Sequence, residues 1–358
     1  MEHNPTRPSD SNAGSHSSQR ARSEPSPLKR DATQRQPLIE TIPQERELRT
    51  FVVPIDFSSP SLQALRWAAS LARGTHARLL AVHAIESTPL AETETVECLL
   101  QDTAMEQLRA VCGEYLREGL TVDRSCAFGK AAAVIERAVA SANDPFVVMG
   151  NRGLSAVKRL FVGSVTDRVQ RSVSCPVFVV HDRDEPQAQL RVVFATDFHL
   201  DADQALSVLV DVLASRTTAP RVRTPANSAV RVELVHVLPI AQLIEGVDVP
   251  VVYSADLGVM ETEAHERLDL LAADLRRRGI ETGVTVVHGD PARGILDCAT
   301  STRADLIVLG RRSMSSMARV LLGDTAEQVL HRAHCAVLTV RSPLSTVELP
   351  DGRAVIVA

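Results

Sequence analysis

The sequence predicts an α/β protein made of two tandem doubly wound domains, each a five-stranded parallel sheet flanked by helices. Three observations predict it. The chain repeats itself: "FVVPIDFS" (51–58) returns as "VVFATDFH" (192–199), "LLAVHAIE" (79–86) as "VELVHVLP" (232–239), "FVVMGNRG" (146–153) as "LIVLGRRS" (306–313), and "SCPVFVV" (174–180) as "HCAVLTV" (334–340). From Gly129/Gly289 to Val180/Val340 the offset stays at 160 residues, so one domain is present twice. Within each copy, short apolar runs alternate with longer helical patterns, the order of an α/β sheet. Finally, those runs are continuous in Val and Leu, as in strands buried on both faces.

In the first copy the strands fall at 50–55, 78–84, 120–127, 145–149 and 176–180. Ser58-Ser59 suits the cap of a first helix, Pro60 its first turn and Gly74 its end. A long helix over about 93–118 precedes strand three, "GKAAAVI" (129–135) reads as the loop after it, and a last helix spans 164 to 172. The second copy reads strand 191–196, helix 202–215, strand 231–237, helix 259–278, strand 283–288, helix 292–302, strand 305–309, helix 318–332, strand 336–340. The polar stretch "HDRDEPQAQ" (181–189) links the copies, which places the domains at 49–184 and 190–342 with a C-terminal tail at 343–358. Residues 1–48 are rich in Ser, Pro, Gln and Arg and poor in aliphatic side chains. Such a segment cannot bury enough apolar area to offset its chain entropy and is expected to be a disordered tail.

Composition excludes several classes. Hydrophobic residues at 44% and charged ones at 23% are those of a globular protein. A net charge of −5 gives no reason to expect nucleic acid, and the tail carries seven acids against seven bases. No apolar run approaches the roughly 20 residues that span a bilayer, and no signal-peptide core is present. Six scattered cysteines, without a CxxC pair, read as free thiols of a cytoplasmic protein. The phosphate-loop GxxxxGK[ST], HExxH, GxSxG and GxGxxG patterns are missing.

One stretch carries chemistry: "MGNRGLSAVKRLFVGSVTDRV" (149–169). Gly150 and Gly153 follow strand four directly, where open α/β sheets bind ligands. Gly163-Ser164 opens the last helix, whose N-terminus carries roughly half a positive charge. With the hydroxyls of Ser164 and Thr166, this makes an anion cradle suited to phosphate. Asp56, after Pro54 and Ile55 at the end of strand one, can bond ribose or adenine, help hold Mg²⁺, or merely cap the next helix. Ala84, at the end of strand two, can floor a base pocket.

This order, PxD after strand one and G-x2-G-x9-G-[ST] after strand four, resembles the universal stress protein family over about residues 49–342. The resemblance implies the adenine nucleotide alpha hydrolase-like fold, bound ATP with Mg²⁺ in the complete-motif branch, and pairing of domains through the last strand. It places Asp56, Ala84, Gly150, Arg152, Gly153, Gly163, Ser164, Val165 and Thr166 on nucleotide-contact positions, and Pro54, Ile55 and Met149 complete the expected set. Asn151 stands where Ser or Thr is common, and Ala84 where Val is common. No catalytic residue and no protein metal site is assigned. Three functions follow as expectations: an ATP-binding regulatory or stress-response module, a slow ATPase or phosphoryl-transfer enzyme, or a non-catalytic scaffold with the second domain as pairing partner. The strands 176–180 and 336–340 are the expected seam between copies, and a homodimer is open.

The second copy departs from the motif. Gly310-Arg311-Arg312-Ser313 is followed, nine residues on, by Gly323-Asp324. Ser313 adds a side chain where backbone must approach closely, and Asp324 puts a negative charge at the helix N-terminus, repelling phosphate. Arg311, Arg312, Arg319 or Mg²⁺ are the possible rescues. His83/His236 and Cys175/Cys335 recur in both copies and read as structural: a hydrogen-bonded histidine and a small buried hydrophobe.

Overall fold

The strands at the middle of the central sheet are apolar along most of their length and buried, whereas the edge strands at 122–128 and 281–288 carry polar residues and are only partly buried. A computed structural model describes residues 49–73, 77–86, 94–153, 162–181, 189–217, 230–239, 252–311, 324–341, 345–348 and 354–357. The expected tail 1–48, Gly74, most of the linker, and Arg312, Ser313, Arg319 and Gly323 lie outside the described residues.

The first copy runs β1 (Thr50–Pro54), α1 (Ser59–Ala72), β2 (Arg78–Ile85), α2 (Glu94–Arg117), β3 (Val122–Phe128), α3 (Ala131–Ser141), β4 (Pro145–Gly150), α4 (Ser164–Ser172) and β5 (Val177–Val180). The second runs β6 (Leu190–Ala195), α5 (Leu200–Thr217), β7 (Val230–Leu238), α6 (Val252–Arg277), β8 (Glu281–His288), α7 (Pro291–Ser301), β9 (Leu306–Arg311), α8 (Asp324–Arg332) and β10 (Ala336–Arg341). A hairpin, β11 (Ser345–Glu348) with β12 (Ala354–Val357), lies in the expected C-terminal tail.

Ten strands form one sheet in the order β3-β2-β1-β4-β5-β10-β9-β6-β7-β8. Every neighbouring pair is parallel except β5 with β10, which meet antiparallel with Val179 opposite Val337 and Phe178 opposite Leu338. Helices α1, α2, α5 and α6 pack on one face and α3, α4, α7 and α8 on the other. Phe51, Val52, Val53, Phe146, Val147 and all four residues of β5 are buried, each contributing about 1.5–3 kcal/mol by leaving water. Phe51 meets Phe146 edge-on at 5.2 Å, and Trp67 lies 5.2 Å from Phe178.

Two elements differ from expectation. The stretch 129–135 is not all loop, because three alanines in a row favour helix and α3 starts at Ala131. Gly129 and the N-cap Lys130 stay outside, with Gly129 at φ +133°, a conformation its counterpart Gly289 repeats at +128°. Helix α6 starts seven residues before the expected 259, because it runs through Gly258. A glycine there costs about 1 kcal/mol against alanine, which the length of this 26-residue helix absorbs. Cys175 and Cys335 are buried, and burial pushes the Cys175 thiol up to about 11. None of the described helices is long and apolar enough to cross a membrane.

Candidate functional site

In each copy the strand order reverses between the first and fourth strands, here β1 and β4. A cavity of about 710 Å³ opens at their carboxyl ends, within the range of small-molecule pockets. All twelve expected positions, from Pro54 to Thr166, line it, and Ser61, Val82, His83, Glu86, Ala131, Ile135 and Val162 line it as well. Ser61 and Glu86 carried no sequence signal, since one lies inside α1 and the other follows β2 outside any spaced motif.

The turn after β1 is tightly specified. Asp56 Oδ1 accepts from the Ser58 N–H at 3.0 Å and from the Ser58 hydroxyl at 2.5 Å. Ser58 caps α1 by accepting from the Ser61 N–H, and Pro60 sits in its first turn. Phe57 takes φ +63°, which a bulky residue rarely adopts. His83 holds it: the rings lie 4.8 Å apart, and His83 Nδ1–H donates to the Ile55 carbonyl at 2.7 Å. The second copy repeats the device with Phe198 at +61°, its ring 4.5 Å from His236, and His236 Nδ1–H donating to Thr196 at 2.8 Å. The paired histidines are therefore structural, and one oxygen of Asp56 serves the turn.

The three glycines have three different reasons. A Cβ on Gly150 would come within 2.8 Å of the Pro60 backbone, so Gly150 admits α1 against the sheet. A Cβ on Gly153 would collide with Asp56 Oδ2. Gly163 has neither excuse. Its φ is −67°, open to any residue, and its Cβ would rest 3.4 Å from Arg152 Cα and 3.5 Å from the Asn151 carbonyl, ordinary contacts. What a side chain at 163 would take is cavity space.

Gly163 is the N-cap of α4 and makes no side-chain cap. Its N–H donates to Asn151 at 2.8 Å, and its carbonyl accepts the first helical bond from Asp167. The amides of Ser164, Val165 and Thr166 precede that bond, at the positive end of the helix dipole. The buried Thr166 hydroxyl donates to the Gly150 carbonyl at 2.9 Å, tying the helix start to the end of β4. Arg152 lines the same cavity, its Nε buried and without a hydrogen-bond partner among the described residues. The arrangement presents converging donors and one guanidinium to an anion.

In the second copy Asp324 starts α8, and Ala326 stands where Thr166 stands in the first, so the hydroxyl tie is missing there. Arg311 is not a phosphate rescue. It is 1% exposed and donates into the first copy, to the Gln170 carbonyl and side-chain oxygen and to the carbonyls of Val173 and Cys175.

The universal stress protein family model matches residues 47–181 and 190–341. A universal stress protein of Mycobacterium tuberculosis is 27% identical over 312 residues, covering 83% of this chain and 98% of the relative. A Synechocystis universal stress protein is 38% identical over 81 residues, 23% of this chain and 53% of the relative, and one from Methanocaldococcus jannaschii is 34% identical over 24% of this chain and 50% of the relative. The chain therefore spans about half the length of those two relatives. Among solved structures, a universal stress protein from Archaeoglobus fulgidus aligns with a TM-score of 0.60 at 24% identity, covering 82% of this chain and 98% of that one. That likeness shows the fold.

Proposed function

The chain belongs to the universal stress protein family, and we propose that its first copy binds ATP as a regulatory module of the cytoplasmic stress response. Gly163 carries the reading: it is a glycine that neither its backbone conformation nor its packing against the described residues requires, at a helix N-terminus without a side-chain cap from its N-cap residue, lining a cavity. In this reading the amides of Ser164, Val165 and Thr166, the Ser164 hydroxyl and Arg152 hold the phosphates. Ala84 floors the adenine pocket beside Pro54, Ile55 and Met149. Asp56, whose Oδ1 accepts from Ser58, lines the cavity where ribose or adenine would lie. Mg²⁺ travels on the phosphates, as a cation that keeps most of its waters.

The second copy, with Asp324 and Ala326 in the cradle, serves as the pairing partner through β5 and β10. Six cysteines scattered without a CxxC pair fit a reducing compartment. The experiment is to denature freshly purified chain and identify what the supernatant contains by chromatography and mass spectrometry. The reading expects an adenine nucleotide. A guanine nucleotide, or an empty chain that takes up no ATP on titration, would overturn it.

A further inference from the structure

The second copy reaches into the first at one helix. Helix α4 starts at the cavity, which Gly163, Ser164, Val165 and Thr166 line, and ends at the seam between copies. There Arg311, at the end of β9, meets its last carbonyls. The guanidinium donates to the Gln170 carbonyl, to Gln170 Oε1 at 3.1 Å, to Val173 O at 3.3 Å and to Cys175 O at 3.1 Å. Thr339 of β10, fully buried, adds a bond to Gln170 Oε1 at 2.8 Å. A helix C-terminus presents unpaired carbonyls and about half a negative charge, and a planar fork of five donors suits it.

The clamp runs one way. Arg311 corresponds to Asn151, Gln170 to Leu330 and Thr339 to Val179, so the reverse contact lacks its parts. Asn151 Oδ1 is instead buried without a hydrogen-bond partner among the described residues. The copy with Asp324 in its cradle gives the arginine, and the copy with the complete cradle receives it.

We propose that Arg311 is a positioning residue for the first copy's cavity: held at its C-terminal end by the second copy, α4 keeps its N-terminal amides aimed at a bound polyanion. The proposal rests on the ATP reading above. A nine-residue helix has no stability of its own, so packing and end contacts set its axis. The Thr166 hydroxyl and the Gly163 N–H tie its start to the end of β4, and the contacts at the other end fix the second point of its axis. The buried guanidinium also adds positive charge along the axis, which favours ATP over an uncharged nucleoside.

The test is calorimetric titration of the nucleotide-free full chain with ATP and with adenosine, in wild type, Arg311→Met, Arg311→Lys and Thr339→Val. The expected result is an ATP-to-adenosine affinity ratio about tenfold lower in Arg311→Met and about threefold lower in Arg311→Lys and in Thr339→Val, which loses one contact of the same clamp. A purely structural arginine would weaken both ligands alike. An unchanged ratio in the two arginine variants, or an equal fall for both ligands, overturns the proposal and leaves the ATP reading standing. A wild-type chain that binds no ATP overturns that reading and the proposal with it. If Arg311→Met does not fold, Arg311→Lys decides, since it keeps a cation and loses the fork.

Discussion

In sequence, after its fourth strand the first copy carries Gly150, Gly153, Gly163, Ser164 and Thr166, and the second carries Gly310, Ser313, Gly323, Asp324 and Ala326 at the equivalent positions. One strand away the two copies agree closely. Both bend after the first strand through a phenylalanine at positive φ, both stack it on a histidine, and both histidines bond the same strand-end carbonyl. The turn device belongs to the fold and persists without the cradle. Gly150 belongs to the sheet, paired with Val180 and packed under Pro60, and both copies keep a glycine there; Gly153, Gly163, Ser164 and Thr166 lie beyond the last residue of β4, so these positions can change without disturbing the sheet. The seam shows a third pattern, where equivalent positions differ so that Arg311, Thr339 and Gln170 form one polar cluster in a single direction.

The comparison can be broken first at its frame. Val179 is fully buried opposite Val337, and Val179→Asp leaves a charge there without a partner. Urea unfolding should report a loss of about 3–5 kcal/mol; a change under about 0.5 kcal/mol would show that β5 and β10 do not pair in solution. Next comes the cradle. Gly153→Val pushes a side chain onto Asp56, and titration should show ATP affinity falling about 100-fold, roughly 2.8 kcal/mol, with the fold retained. Ser164→Asp imports the second copy's charge. Two like charges about 4 Å apart repel by about 1 kcal/mol in water and more in a partly dry pocket, so affinity should drop about tenfold, and more at low salt than at high. Thr166→Ala imports the second copy's alanine. It removes one buried hydrogen bond, worth about 1 kcal/mol, and should lower affinity about threefold by freeing the start of α4 from β4. Affinity equal to wild type in Ser164→Asp would mean that this position does not face a phosphate.

Much of this was legible in the sequence, for identifiable reasons. Strand positions stood out because β1, β4 and β5 are buried on both faces and admit only apolar residues. The cavity-lining set stood out because glycines and a serine at fixed spacing after a strand are dictated by backbone approach. What stayed hidden lies in contacts between distant segments. The packing of Pro60 against Gly150 explains a glycine that spacing alone assigns to ligand approach. Ser61 lines the cavity as a polar residue on the buried face of α1, with its hydroxyl donating to the Ser58 carbonyl. Arg311 sits in a motif that reads as part of a pocket, yet its side chain turns into the neighbouring copy, and no local pattern encodes that turn. Helix α6 ran past Gly258 because length and packing outweighed one unfavourable residue.

The central claim is that one cradle binds and the other does not. Its most direct test is the stoichiometry of ATP binding to the nucleotide-free full chain by titration calorimetry. The account predicts one ATP per chain, lost in Gly153→Val and kept in Asp324→Asn. Two ATP per chain, or a single site that survives Gly153→Val and disappears with a change at Asp324, would contradict it.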